Sequence, residues 1–361
     1  MYAILLVVHG GGSVMIMGFE SLNDVFQIKA NRANGSAVLA LYRCFKKFWL
    51  ILDGNICMIP RDPPRRPQLG FLYLPPFRVQ GISIAGEESV VQLPELDTCF
   101  DIGRCPRAAL SSPYVALTHG HMDHSAGLAY YFSQRYFQGM GVGTVLCHPK
   151  LEQPIHNLMR AWIDIEAQKT PYNVKAMEPD EQIEIKKTLF LRAFETNHRV
   201  PSLGYTIVEK RSKLRPDLTG MPQEKLIALK KKGEPITQTH DIPLVCYTGD
   251  TAWGSHFDRP DVLEAQILIT ECTFLEEDHR KRANVGMHLH LDDIIKLLER
   301  STAKAIVLTH LSRRTHLAQA KKQIFEAIKP EDRQRLFLLM DHRNNRERYA
   351  QQQEQLGEVR D

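Results

Sequence analysis

The segment His119-Gly-His121-Met-Asp123-His124 constrains this chain more than any other. Only 15 of its 361 residues are histidine, so a cluster this dense seldom arises from composition. In an extended loop His119 and His121 face one side, while Asp123 and His124 can turn toward a second centre. Hydrolysis at a metal pair needs two ions roughly 3.5–4 Å apart, lined by such imidazoles and carboxylates. The cluster follows the apolar run 114–118 and precedes a helical pattern over 125–137, which places it at the end of a strand. Three other strand candidates end alike, in Thr196-Asn-His198, Tyr247-Thr-Gly-Asp250 and Leu308-Thr-His310. A lone histidine after a strand is ordinarily a surface or capping residue. Beside the cluster these become candidates for one shared rim.

The rest of the chain reads as layered α/β. Short strands are expected at 79–84 and 89–93, joined through Gly86, then at 98–103, 114–118, 144–147, 187–196, 204–208, 244–248, 266–270, 305–309 and 336–340. Helices are expected at 125–137, 292–300 and 317–328. Residues 1–76 read as an N-terminal extension or linker of poor order, because Arg61-Asp-Pro-Pro-Arg-Arg-Pro67 opposes helix and sheet alike. Residues 77–343 form the hydrolase domain, and 344–361 a polar C-terminal tail, either a solvated helix or a frayed end. The segment 210–240, rich in lysine and proline, interrupts the strand pattern as an inserted arm or lid would.

A net charge of +4 permits nucleic-acid binding without arguing for it. The seven cysteines form no CxxC pair, which suits a reducing cytoplasm and excludes a thiolate zinc knuckle. No run approaches the roughly 20 apolar residues that cross a bilayer, so no membrane is expected. The N-terminal run, broken early by His9 and glycines, lacks the basic region of a secretory signal.

The cluster resembles the HxHxDH signature of the metallo-β-lactamase superfamily, an αββα sandwich with metals at one rim. That resemblance implies one zinc held by His119, His121 and His198, and a second by Asp123, His124 and His310, with Asp250 bridging. Manganese or iron would fit the same donors. Asp101 matches the acidic residue that closes an early strand and supports the histidine loop. Flanking motifs narrow the family. Phe194-Glu-Thr-Asn-His198 with Gly204-Tyr205, Ile269-Thr-Glu271-Cys-Thr273, Gly286-Met-His288-Leu-His290 and Thr309-His310-Leu-Ser312-Arg-Arg314 are similar to the corresponding elements of ribonuclease Z. Thr270, Cys272 and Thr315 depart from that pattern, where it has histidine, alanine and tyrosine. The family's long glycine- and proline-rich arm is replaced by a shorter basic segment over 213–233.

The resemblance implies an endoribonuclease that removes 3′ trailers from precursor tRNA through attack of an activated hydroxide on phosphorus. His288 is then the general acid, Glu271 its orienting partner, and Asp123 a handler of the nucleophile's proton. Ser312 and Arg314 would bind phosphate oxygens, since guanidinium meets phosphate bidentately. Of His288 and His290, only one can face the site. Family likeness also implies a homodimer. The alternative expectation is a hydrolase of a small thioester, lactone or phosphodiester on the same scaffold.

Overall fold

The computed structural model describes residues 3–8, 14–19, 49–52, 55–58 and 69–357. They divide into two units, Met1–Arg66 and Pro67–Asp361. The first carries strands β1 (Ala3–Val8), β2 (Val14–Phe19), β3 (Trp49–Leu52) and β4 (Asn55–Met58), in one antiparallel sheet of that order. The proline-rich stretch 61–67 lies outside the described residues.

In the second unit two sheets of seven strands follow one another along the chain. The first holds β5 (Gly70–Leu74), β6 (Phe77–Ile84), β7 (Glu88–Leu93), β8 (Thr98–Phe100), β9 (Tyr114–Ala116), β10 (Thr144–Cys147) and β11 (Asn173–Ala176), neighbours in space as in sequence. The second holds β12 (Gln182–Lys186), β13 (Leu189–Glu195), β14 (Leu203–Leu214), β15 (Thr237–Tyr247), β16 (Ile267–Glu271), β17 (Ala305–Thr309) and β18 (Leu336–Leu338), again in chain order. Each sheet begins antiparallel and turns parallel, from β8 in the first and from β15 in the second. The helices are α1 (Met122–Ser125), α2 (Leu128–Phe137), α3 (Pro149–Glu166), α4 (Gln223–Lys231), α5 (Pro260–Leu263), α6 (Arg280–Gly286), α7 (Leu291–Arg300), α8 (Leu317–Ala327) and α9 (His342–Gly357).

Period-two alternation makes this a four-layer body. Along β8 and β9, Phe100 and Ala116 enter the core between the sheets, while Cys99 and Val115 face outward onto Leu128, Phe132 and Ile155 of α2 and α3. Along β16 and β17, Ile269 and Val307 point inward, and Leu268 and Ile306 meet Ile294, Leu297 and Ile324 of α7 and α8. Strands covered on both faces read as continuous apolar runs, which is why they are visible in the sequence. The αββα sandwich is thus the observed fold.

Three features differ from the sequence expectation. The sheet begins at Gly70, inside the stretch assigned to the extension, because β5 pairs with β6 around the Pro75-Pro76 turn. The C-terminal segment is a helix with a job: the Tyr349 ring stands edge-on to Phe71 at 5.0 Å, and Gln352 donates to the Tyr73 carbonyl at 3.1 Å. Helix α3 is not among the expected helices: Pro149 opens it at the first position, Pro154 lies inside it, and its Ile155 and Met159 are buried. The inserted arm is present. Beyond Lys210, β14 pairs only with β15, Arg211–Leu214 against Thr237–His240, and α4 follows at the ribbon's end. Among the described residues no helix is long and apolar enough to cross a membrane.

Candidate metal centre and active site

Strands of both sheets deliver their chemistry at their C-terminal ends. Asp101 follows β8, the His119–His124 loop follows β9, His198 follows β13, Asp250 follows β15, Glu271 ends β16, and His310 follows β17. Backbone conformations at these exits are unusual. Asp101 and His310 adopt left-handed φ values of 56° and 54°, and Gly249, just before Asp250, has φ 61°. A side chain at Gly249 would also strike Thr118 at 2.7 Å, so glycine is needed there twice over.

The predicted ligands converge. Nδ1 of His121 lies 2.9 Å from Nε2 of His119 and 3.4 Å from Nε2 of His198. Oδ2 of Asp250 lies 3.3 Å from Nε2 of both His124 and His310 and 3.9 Å from Nε2 of His119. Oδ2 of Asp123 lies 3.4 Å from Nε2 of His310 and 3.6 Å from Nε2 of His124, and accepts the Gly86 N–H at 2.9 Å. The sets His119/His121/His198, Asp123/His124/His310 and His119/His124/Asp250 each bring their ligand atoms within 4.8 Å. Asp250 therefore stands between two triads.

A further shell fixes which nitrogen each ring turns inward. The Thr118 hydroxyl donates to Asp101 Oδ1 at 2.8 Å and so accepts from Nδ1 of His119 at 3.0 Å. Nδ1 of His124 donates to Asp101 Oδ2 at 2.8 Å. Nδ1 of His198 donates to the Met287 carbonyl at 3.1 Å. The Thr273 hydroxyl donates to Glu271 and accepts from Nδ1 of His310 at 2.9 Å. Each bond leaves Nε2 with its lone pair toward the centre, the arrangement that orients imidazole ligands.

These residues fit metal on their own geometry. Nε2 of His124 is wholly buried with no hydrogen-bond partner, an expensive state for a polar atom unless something else meets it. Nitrogens about 2.0–2.1 Å from a tetrahedral ion lie about 3.3 Å apart, close to the spacing in the first triad. Burial holds His119, His121 and His198 below the ordinary imidazole range, which keeps them neutral and able to ligate. Burial opposes ionisation of Asp250, but His310 and His124 outweigh it and hold the carboxylate well below its usual range.

Beside the triads stands the expected pair. Nδ1 of His288 meets Oε1 of Glu271 at 2.9 Å, and Glu271 is buried, anchored by the Thr251 N–H at 2.7 Å. Burial disfavours a charged His288, yet Glu271 prevails and pushes it up to about 9. His288 lies near some of the same groups as the ligands, including Asp250 at 3.9 Å. His290 is occupied elsewhere: its Nδ1 accepts the Asp292 N–H, capping α7, and its Nε2 donates to the Glu276 carbonyl. Ser312 Oγ accepts the Arg314 N–H at 3.3 Å, while the Arg314 side chain lines a cavity next to Phe274.

Sequence reasoning missed Thr118, Thr273, Met287 and Gly86 as supports. The Gly204-Tyr205 pair also acquires a physical reason. A side chain at Gly204 would meet the Phe194 ring at 2.3 Å, and the Tyr205 hydroxyl crosses to the Leu117 carbonyl at 2.8 Å, bracing the strand that precedes His119. Gly204→Ala should therefore lower stability by about 1–3 kcal/mol through overpacking, measurable as a shift in urea midpoint at unchanged m. An unshifted midpoint would show the contact can relax.

Two facing sheets, helices outside them, and a rim of histidines and aspartates at the strand ends define the metallo-β-lactamase fold. No family model matches the chain. It is 30% identical over 253 residues to a chloroplastic tRNase Z of Arabidopsis thaliana, covering 69% of this chain and 72% of that one. A second tRNase Z of the same plant is 30% identical over 266 residues, covering 73% and 95%. The chain belongs to the ribonuclease Z, or tRNase Z, family. Among solved structures, human short-form tRNase Z has 18% identity and a TM-score of 0.48, over 75% of this chain and 95% of that one.

Proposed function

We propose that the chain is a metal-dependent endoribonuclease that removes 3′ trailers from precursor tRNA. The observation that carries this is the inward turn of seven ligating side chains beside the His288–Glu271 pair, in a chain of this family. His119, His121 and His198 would hold one zinc, Asp123, His124 and His310 a second, and Asp250 both, with manganese or iron as alternatives. When bound, such ions supply Lewis acidity and a water that ionises near neutral pH.

The chain's own groups do the rest. Asp123, half-buried and steadied by the Gly86 N–H, takes the proton of the attacking water. Glu271 holds Nδ1 of His288, so its Nε2 can hand a proton to the departing 3′-oxygen. Arg314 and Ser312 meet the phosphate oxygens. The arm carries Lys210, Arg211, Lys213, Arg215, Lys225 and Lys230–Lys232 against three acids, Asp217, Glu224 and Glu234, an excess suited to RNA backbone. The apolar stripe Leu158, Trp162 and Ile165, exposed on α3, supports the reading of a homodimer. Among the described residues five cysteines are buried and unpaired, which suits a reducing compartment and supports a cytoplasmic location.

The test is a precursor tRNA with a short 3′ trailer, run beside bis-p-nitrophenyl phosphate. Wild type should cut after the discriminator base, and chelation should stop it until metal is restored. Hydrolysis of the small diester with precursor tRNA left intact would move the protein to small-molecule chemistry.

A further inference from the structure

One cavity adjoins the centre without belonging to it. It encloses about 560 Å³ and is lined by Phe274, Lys281, Arg282, Val285, Gly286 and Arg314. That volume lies within the range of small-ligand sites, about 300–1,000 Å³. Two neighbouring arginines are tied down: Arg280 to Asp293 at 3.3 Å and Arg313 to Glu87 at 2.7 Å. Among the described residues Lys281, Arg282 and Arg314 have no carboxylate partner, although they share one concavity. Three unpaired cations facing one space form a field that favours a polyanion.

The cavity is fixed rigidly to the reacting centre. Helix α6 is held at its start by Arg280 on Asp292 and Asp293, and ends at Met287, whose carbonyl takes Nδ1 of His198 at 3.1 Å. Phe274, on the cavity wall, stands edge-on to the His288 ring at 6.1 Å. A side chain at Gly286 would touch His288 at 2.9 Å. The cavity therefore opens on the His288 side of the centre.

Resting on the ribonuclease reading above, we propose that this cavity seats the nucleotide 5′ to the scissile bond. Its phosphate lies against Lys281 and Arg282, with Arg314 between it and the scissile phosphate, and its base lies against Phe274. The side follows from stereochemistry. In-line displacement sets the attacking and leaving oxygens on opposite faces of phosphorus. Cleavage that leaves a 3′-hydroxyl expels the 3′-oxygen of the upstream nucleotide, and His288 protonates that oxygen. The space beyond His288 is then upstream, while the attacking oxygen holds the opposite face and the trailer keeps the phosphate through its equatorial 5′-oxygen. Aromatic walls accept any base, since every base offers a π-face, so this seat grips without reading sequence.

The experiment uses the full, metal-loaded chain as wild type and as Lys281→Ala/Arg282→Ala. Both side chains are exposed and unpartnered, so the fold does not depend on them. On precursor tRNA, kcat/KM of the variant should fall about tenfold or more beyond any change on bis-p-nitrophenyl phosphate. The slope of log KM against log salt should become shallower by up to about 0.7, the worth of the one single-strand phosphate contact the pair makes. A second substrate carries a neutral methylphosphonate in place of the phosphate just 5′ of the scissile one. Wild type should lose on it what the variant loses on normal RNA, and the variant should lose little more. Equal further losses in both proteins, or coupling with a methylphosphonate on the trailer side instead, would overturn the assignment. A wild type that hydrolyses the diester but not precursor tRNA would sink the ribonuclease reading itself, and this proposal with it.

Discussion

Asp250→Ala should abolish hydrolysis of RNA and small diester alike, by a factor of about 10³ or more, and should lower the metal content of the purified chain. The expectation follows from position. One carboxylate oxygen lies 3.3 Å from two ring nitrogens and 3.9 Å from a third, and the residue is 3% exposed. Losing a group that merely orients a ligand costs about 10–100-fold in affinity or activity; losing a ligand shared by both triads must cost more. The triads would also lose their common negative charge and keep Asp123 as their one carboxylate ligand, with Asp101 reaching only the far nitrogen of His124. Asp250→Asn, of the same size but uncharged, should fail almost as badly. Metal analysis beside kcat on both substrates checks this. A variant that keeps full metal and a tenth of its activity would remove Asp250 from the shared position.

His288→Ala should leave the metal in place and lower kcat on precursor tRNA by about 10²–10⁴, the usual worth of a general acid. The loss on bis-p-nitrophenyl phosphate should be much smaller, because nitrophenolate departs without a proton whereas a ribose 3′-oxygen does not. Glu271→Gln should fall between, since the amide still meets the ring but no longer stabilises its charge. Equal losses on both substrates, or a lower metal content, would make His288 a ligand or a structural prop instead.

The ligands were legible because each lies in a short motif or at the end of an apolar strand, signals carried by neighbours in sequence. Their supports were not. Met287 serves His198 from 89 residues away, and Thr273 serves His310 from 37, so only the tertiary fold of the second sheet and its connections brings them together. Thr118 ends the expected strand before the cluster and Thr273 sits inside a quoted motif, yet nothing local says that their hydroxyls relay a carboxylate's pull to an imidazole. The inner strands were visible because both faces are apolar. Polar edge strands such as β12, with Gln182, Glu184 and Lys186, carry too little hydrophobic signal. Pro75-Pro76 forms a tight turn inside the sheet, and Pro154 is accommodated within α3, whose stripe of Ile155 and Met159 outweighs one missing backbone bond.

The proposed ligands come from both sheets: His119 to His124 from the first, and His198, Asp250 and His310 from the second. An ion among them is thus a cross-link between the halves of the sandwich, and its affinity is part of the folding free energy. At one hundred times its dissociation constant a ligand that prefers the native state adds about 2.7 kcal/mol, a sizeable share of a typical domain's stability. Metal supply then governs abundance as well as turnover. In a starved cell, chains that cannot cut would also be those that open most often to proteases, so they would be cleared before they could accumulate as idle competitors for RNA.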